Sequence, residues 1–116
     1  MIQKNSEKGI INITPEVFTN IVGDTASSCF GVKGMASRKD NSWQLLRRES
    51  MSKGVNVVFD EEKGCVSVEL HIIVNHGVNI AALSESIVKE VSYKVTASTG
   101  VIVSRVDVFI DSMDME

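Results

Sequence analysis

From Gly64 to Ile110 the chain alternates, turns, runs as an amphipathic helix, stops and alternates again, and this stretch leaves few folds open to it. Val66, Val68, Leu70, Ile72 and Val74 occupy the even positions of the first alternating run. Cys65, Ser67, Glu69, His71, Ile73 and Asn75 occupy the odd ones. A period of two marks a half-buried strand with the even residues on a core. Such alternation suits an antiparallel sheet with one solvated face better than a parallel sheet covered on both. His76-Gly77 breaks the rhythm, and Asn79 is placed to cap a helix that begins at Ile80. Ile80, Leu83, Ile87, Val91 and Val95, with Val88 beside them, make one apolar stripe. On the other side Glu85 precedes Lys89 and Glu90 precedes Lys94 by four residues. Each such pair is worth ~0.2–0.5 kcal/mol in an isolated helix and reads as a solvated face. Gly100 suits the left-handed position that ends a helix.

The closing strand predicts Ile102, Val106, Val108 and Ile110 on one face, interrupted by Ser104. Arg105 and Asp107 share the other face with Val101, Val103 and Phe109. That second face is less polar than full exposure requires, so Val101, Val103 and Phe109 are candidate partner-binding residues.

A chain of 116 residues with ordinary apolar and charged fractions is long enough for one domain with one core. We read residues 1–116 as that single domain. The net charge of -3 gives no general attraction to nucleic acid. Met1 to Lys8 is polar and lacks the apolar core of a signal peptide, and no apolar run approaches the roughly 20 residues of a membrane-spanning helix. Cys29 and Cys65 are the only cysteines, which argues for reduced thiols and a cytoplasmic location rather than a disulfide framework.

Upstream, Ile10 to Ile13 predicts a first strand. Thr14-Pro15-Glu16 is a helix start: Thr14 caps, Pro15 loses nothing at the first helical position, and Glu16 complements the positive end of the dipole. Ile13 and Phe18 stand where a hydrophobic staple needs them. Phe18, Ile21, Val22, Thr25 and Cys29 continue one helical face to Gly31, with Gly23 inside it costing ~1 kcal/mol relative to alanine. Cys29 reads as a small core hydrophobe.

Residues 33–53 differ in character. Lys33, Arg38, Lys39, Arg47, Arg48 and Lys53 against Asp40 and Glu49 give +4, which leaves -7 for the rest of the chain. We expect a basic connector in which Ser42 caps one or two helical turns through Trp43, Leu45, Leu46 and Arg48. Arg38, Lys39, Trp43, Arg47 and Arg48 are its candidate partner-binding residues. One reading is docking on an acidic partner, a membrane surface or nucleic acid; the other is a connector whose Trp43 and Leu46 tuck onto the core while its charges stay wet. Val55, Val57 and Phe59 start another alternating strand. Asp60-Glu61-Glu62-Lys63-Gly64 then closes a hairpin into the long alternating run. Residues 111–116 read as a frayed acidic tail.

Little points to catalysis. Gly31-Val32-Lys33-Gly34 matches the G-x-x-G that clamps nucleic-acid backbones, but no amphipathic helix follows it directly, so a helix-stop turn is the better account. Cys65, Glu69 and His71 share a strand face, with His76 beyond, but neighbours on that face stand about 6.6 Å apart, too far to share a metal without bending. There is no G-x-S-x-G, P-loop or H-E-x-x-H. The residues thus predict no enzyme, no cofactor, no metal and no small-molecule substrate.

In order and spacing the segments resemble the alkaline shock protein family of Gram-positive bacteria, also called the general-stress or envelope-stress family. The residues that carry the resemblance are Gly9-Ile10-Ile11-Asn12-Ile13-Thr14-Pro15-Glu16-Val17, Gly31-Val32-Lys33-Gly34-Met35, Ser52-Lys53-Gly54-Val55-Asn56-Val57, Gly77-Val78-Asn79-Ile80, Thr99-Gly100 and Val106-Asp107-Val108. The resemblance implies a cytosolic, non-enzymatic protein of the cell-envelope stress response. It would associate with itself or with a homologous membrane-anchored partner, touching the membrane only indirectly. The Trp- and Arg-bearing connector and Cys29-Phe30 depart from the family pattern.

The expected architecture is an α+β two-layer sandwich in the order β-α-β-β-α-β, with two helices on one face of a mainly antiparallel four-stranded sheet. The expected function is a scaffold or adaptor. The alternative is a nucleic-acid-binding module using the basic 33–53 segment, whose binding would weaken steeply with salt.

Overall fold

The computed structural model describes residues 2–39, 42–45 and 54–114, with residues 2–6, 37–39 and 42–45 described by their backbone. In chain order the elements are β1 (Ile2–Ser6), β2 (Gly9–Ile13), α1 (Pro15–Ser27), β3 (Val32–Lys39), β4 (Ser42–Leu45), β5 (Val55–Asp60), β6 (Cys65–Asn75), α2 (Ile80–Thr99) and β7 (Ile102–Asp114). The α+β class and the mainly antiparallel sheet follow the sequence expectation: β4, β3, β6 and β5 form an antiparallel set in that order. β7 then joins β6 in parallel. Parallel neighbours need a crossover, and α2 supplies it.

β6 is the axis of the sheet. β7 takes one of its edges from Cys65 to Asn75. The other edge is shared end to end: β5 pairs with residues 65–70, and β3 pairs with Ile72, Ile73 and Val74. β3 and β5 therefore lie on one line. The chain leaves that line after Ala36, makes the β3–β4 hairpin, and returns at Gly54 opposite His71. The junction is tight, since a Cβ on Gly54 would stand 2.9 Å from the Ala36 carbonyl oxygen and 3.1 Å from that of His71.

The even residues of β6 are buried as expected, against Phe18, Val22 and Ala26 of α1 and Leu83, Ile87, Val91 and Val95 of α2. Both helices thus cover the same sheet face. Asn79 Oδ1 accepts from the Ala82 N–H at 3.1 Å, and Gly100 adopts φ 75° with its N–H donating to Thr96 O at 2.8 Å, so α2 starts and stops at the expected residues. Ile80, at its first turn, is exposed rather than part of the stripe. Thr14 is the N-cap residue of α1, but its hydroxyl makes no capping bond.

Several expectations need correction. β2 pairs with β1 in a separate two-stranded hairpin instead of joining the main sheet. The connector is not helical where it is described: Val32–Lys39 and Ser42–Leu45 are paired strands, because Ser37, Arg38 and Lys39 find partners in Gln44, Trp43 and Ser42. Tertiary pairing thus overrides a local capping signal. Residues 46–53, with Arg47 and Arg48, lie outside the described residues. The supposed tail is not free either, for Asp111 to Asp114 continue β7 beside Ile73, Val74 and Asn75.

Replacing Gly54 by alanine should lower stability by about 1–3 kcal/mol, the usual cost of overpacking against groups that cannot yield. Gly9→Ala, where an added methyl meets nothing within 4 Å, should not destabilise. Urea unfolding of the two variants checks this.

Candidate functional site

The sheet face opposite the helices carries the polar residues, and three irregularities determine which. The β6–β7 register slips between Val66 and Ser67 and again between Ile72 and Ile73, so Ser104 and Asp111 are extra residues on β7. The β3–β6 register slips between Val32 and Gly34, so Lys33 is extra on β3. A bulge reverses the in–out parity of everything beyond it. Val103 therefore packs against the core before the first slip, as do Val106, Val108 and Ile110 between the slips and Met113 after the second.

This parity change relocates two of the candidate residues. Val101 is 2% exposed and Val103 is packed against the core, while Ile102, expected inside, is 66% exposed. The reason is Ser104, whose hydroxyl donates to Val66 O at 3.1 Å and anchors the bulge. Of Val101, Val103 and Phe109, only Phe109 lies on the outer face. The side chains of Arg38, Lys39 and Trp43, and all of Arg47 and Arg48, lie outside the described residues.

What the structure does assemble is a cluster around His71. The His71 and Phe109 rings are register partners and stack at 4.9 Å with 11° between their planes. His71 Nε2 meets Glu69 Oε1 at 2.9 Å, and His71 Nδ1 meets Asp111 Oδ2 at 2.8 Å. Asp111 reaches the ring from two residues beyond Phe109, on the same outer face of β7. Burial pulls the imidazole pKa down, but the hydrogen bonds and charges of Glu69 and Asp111 outweigh it and leave the pKa raised. Both ring nitrogens are committed to opposite carboxylates, so the three groups do not converge on one point. Among the described residues no group of three or more His, Cys, Asp or Glu is arranged to hold a metal.

Two ion pairs flank this cluster. Lys33 reaches across the end of β6 to Asp114, and Arg105 Nε donates to Asp107 Oδ1 at 2.8 Å. Sequence reasoning placed Glu69 and His71 correctly but missed Lys33, Asp111 and Asp114. Lys33 and Asp114 depend on bulges, which period-two reading has no means to register, while Asp111 keeps the parity of Phe109 and was passed over only because residues 111–116 read as a tail.

β7 has no strand on its other side among the described residues. Between that free edge and α2 lies a groove of about 810 Å³ lined by residues that include Glu85, Val88, Lys89, Val106, Val108 and Phe109. The Cys29 thiol donates to Thr25 O at 3.4 Å, and burial first and Glu90 second push its pKa up. It is a packing residue rather than a nucleophile.

The chain is thus a small α+β module, one sheet face packed under two helices and the other carrying the Glu69, His71, Phe109 and Asp111 cluster, with Cys65 and Ile73 on that face buried. A model of the alkaline shock protein 23 family, described as having a "cell envelope-related function", matches residues 3–115. The chain belongs to that family, in agreement with the resemblance read from its segments. It is 33% identical to the protein Spy1614 of Streptococcus pyogenes serotype M6, over 97% of this chain and 93% of that one. It is 30% identical to YloU of Bacillus subtilis, over 97% and 94% of the two chains. Among solved structures, a MamM CTD triple variant matches with a TM-score of 0.55 at 13% identity, covering 85% of this chain and 95% of that one. A second MamM CTD variant gives a TM-score of 0.52 at 12% identity, covering 87% and 100%. At such identities these structures establish the fold alone.

The raised pKa of His71 sets a testable sign. The imidazolium's stabilising contribution is full below the unfolded value near 6.5 and is lost as pH rises through the folded value. The stability advantage of the wild type over His71→Gln should therefore shrink over the range above about pH 6.5 in urea unfolding. A difference that stays constant across that range contradicts the assignment.

Proposed function

We propose that the protein is a non-enzymatic adaptor in a cell-envelope-related process, associating with itself and with a membrane-held partner of similar fold. Its contact surface is the free edge of β7 with the outer sheet face beside it. The observation that carries this reading is Phe109, 44% exposed on that face where β7 meets solvent. An aromatic ring that stacks on an imidazole and still shows nearly half its surface is typical of an interface anchor. Family membership supports the cell-envelope setting. Among the described residues no helix is long and apolar enough to cross a membrane, which favours attachment through a partner.

Sedimentation equilibrium tests the reading. The wild type should self-associate in the micromolar range, and Phe109→Glu should weaken association by at least ~10-fold, the usual cost of losing an aromatic anchor. A wild type that stays monomeric at high micromolar concentration contradicts it.

A further inference from the structure

We propose that the β1–β2 hairpin is an exchange arm, and that β2 of one copy adds as a strand to the free edge of β7 in a second copy, over the groove against α2. The inference rests on the self-association reading and names what occupies that edge.

The first argument is the exposure of β2. Ile10 is 61% exposed and its neighbour Ile11 is 54% exposed. Consecutive strand residues point to opposite faces, so a hairpin packed on its own protein would hide one of them. At this point of β2 neither face is covered. Ile13, at the end of β2, leans on the core, but a two-stranded hairpin alone is marginal in water and Ile10 and Ile11 add nothing to hold its outer part.

The second argument is the match to β7. That strand runs 13 residues with no covering strand among the described residues, and between its bulges at Ser104 and Asp111 the regular stretch from Arg105 to Ile110, with no lysine or proline, is long enough to take β2. Five residues of β2 span about 17 Å, well within the roughly 43 Å of β7. The groove offers Val88, Val106, Val108 and Phe109 to an isoleucine, and the charges on its rim balance: Arg105 is bonded to Asp107, and Glu85 and Lys89 carry one charge of each sign. β2 contains only Gly9, Ile10, Ile11, Asn12 and Ile13, so it can enter without stranding a charge.

The third argument is reach. α1 follows β2 directly and packs over β3 and β5, whereas α2 packs over β7. The arm therefore leaves on the flank away from β7, and among the described residues none of the arm lines the groove. A second copy supplies what the first cannot, and twofold symmetry lets both arms seat at once.

Sedimentation equilibrium of the full chain, wild type and variants, tests the arm. Ile10→Glu with Ile11→Glu should weaken self-association by about 100-fold. Its unfolding midpoint at low concentration should not change, because both side chains are already exposed in the single copy. Val88→Glu, with arm intact and groove spoiled, should be equally weak alone. Mixing the two variants should restore a heterodimer, in which one good arm meets one good groove. If the arm variant associates as the wild type does while Phe109→Glu does not, the arm is overturned and the self-association reading stands. A mixture that remains monomeric also overturns the arm, and a monomeric wild type overturns both.

Discussion

Cys65–Asn75 forms ladders on both of its edges along nearly all of its length and also buries every even side chain, and each other part of the body is placed by one of those demands. The buried row attracts the stripes of α1 and α2. The parallel edge requires α2 as a crossover. The antiparallel edge is longer than β5 alone can fill, so β3 completes it and the intervening chain is pushed out as a hairpin. Truncation in this row, such as Leu70 or Ile72 to alanine, removes contacts with several elements at once, which is where costs of about 2–5 kcal/mol arise.

Much of this was legible because β6 and α2 are locally consistent. Periodicity, the Asn79 cap and the Gly100 stop agree with one another and with the tertiary structure. β7 was half legible: its existence as far as Ile110 and the facing of Val106, Val108, Phe109 and Ile110 follow from alternation, but the facing of Val101, Ile102 and Val103 before Ser104 and of Met113 after Asp111 does not, since each of those two residues shifts the phase by one. Phase slips leave no compositional mark when the extra residue is small or polar and its neighbours are aliphatic on both sides. The strands Val32–Lys39 and Ser42–Leu45 were hidden for a different reason. Their pairing is with each other and with residues about 40 positions away in the sequence, while Ser42 gave a convincing local signal for a helix.

The outer face gathers the charges of the cluster. Asp111 keeps the outward parity of Phe109 and stands diagonal to His71, so each ring nitrogen meets a carboxylate, and the raised pKa follows from having both. Phe109 is fixed against that imidazole, so a side chain suited to contact is held in place before any partner arrives, which limits the entropy lost on binding. Next to it, the β7 edge carries unused backbone donors and acceptors, the groups an added strand needs, and Arg105 on its rim is already bonded to Asp107.

Self-association through β7 is best judged by amide hydrogen exchange recorded as a function of protein concentration. In a single copy, the β7 N–H groups that point away from β6 are open to solvent and exchange rapidly. The account predicts that alternate amides of β7 slow down as concentration rises through the association range, together with those of Gly9–Ile13. Exchange along β7 that does not change with concentration, in a protein shown to associate, would contradict it.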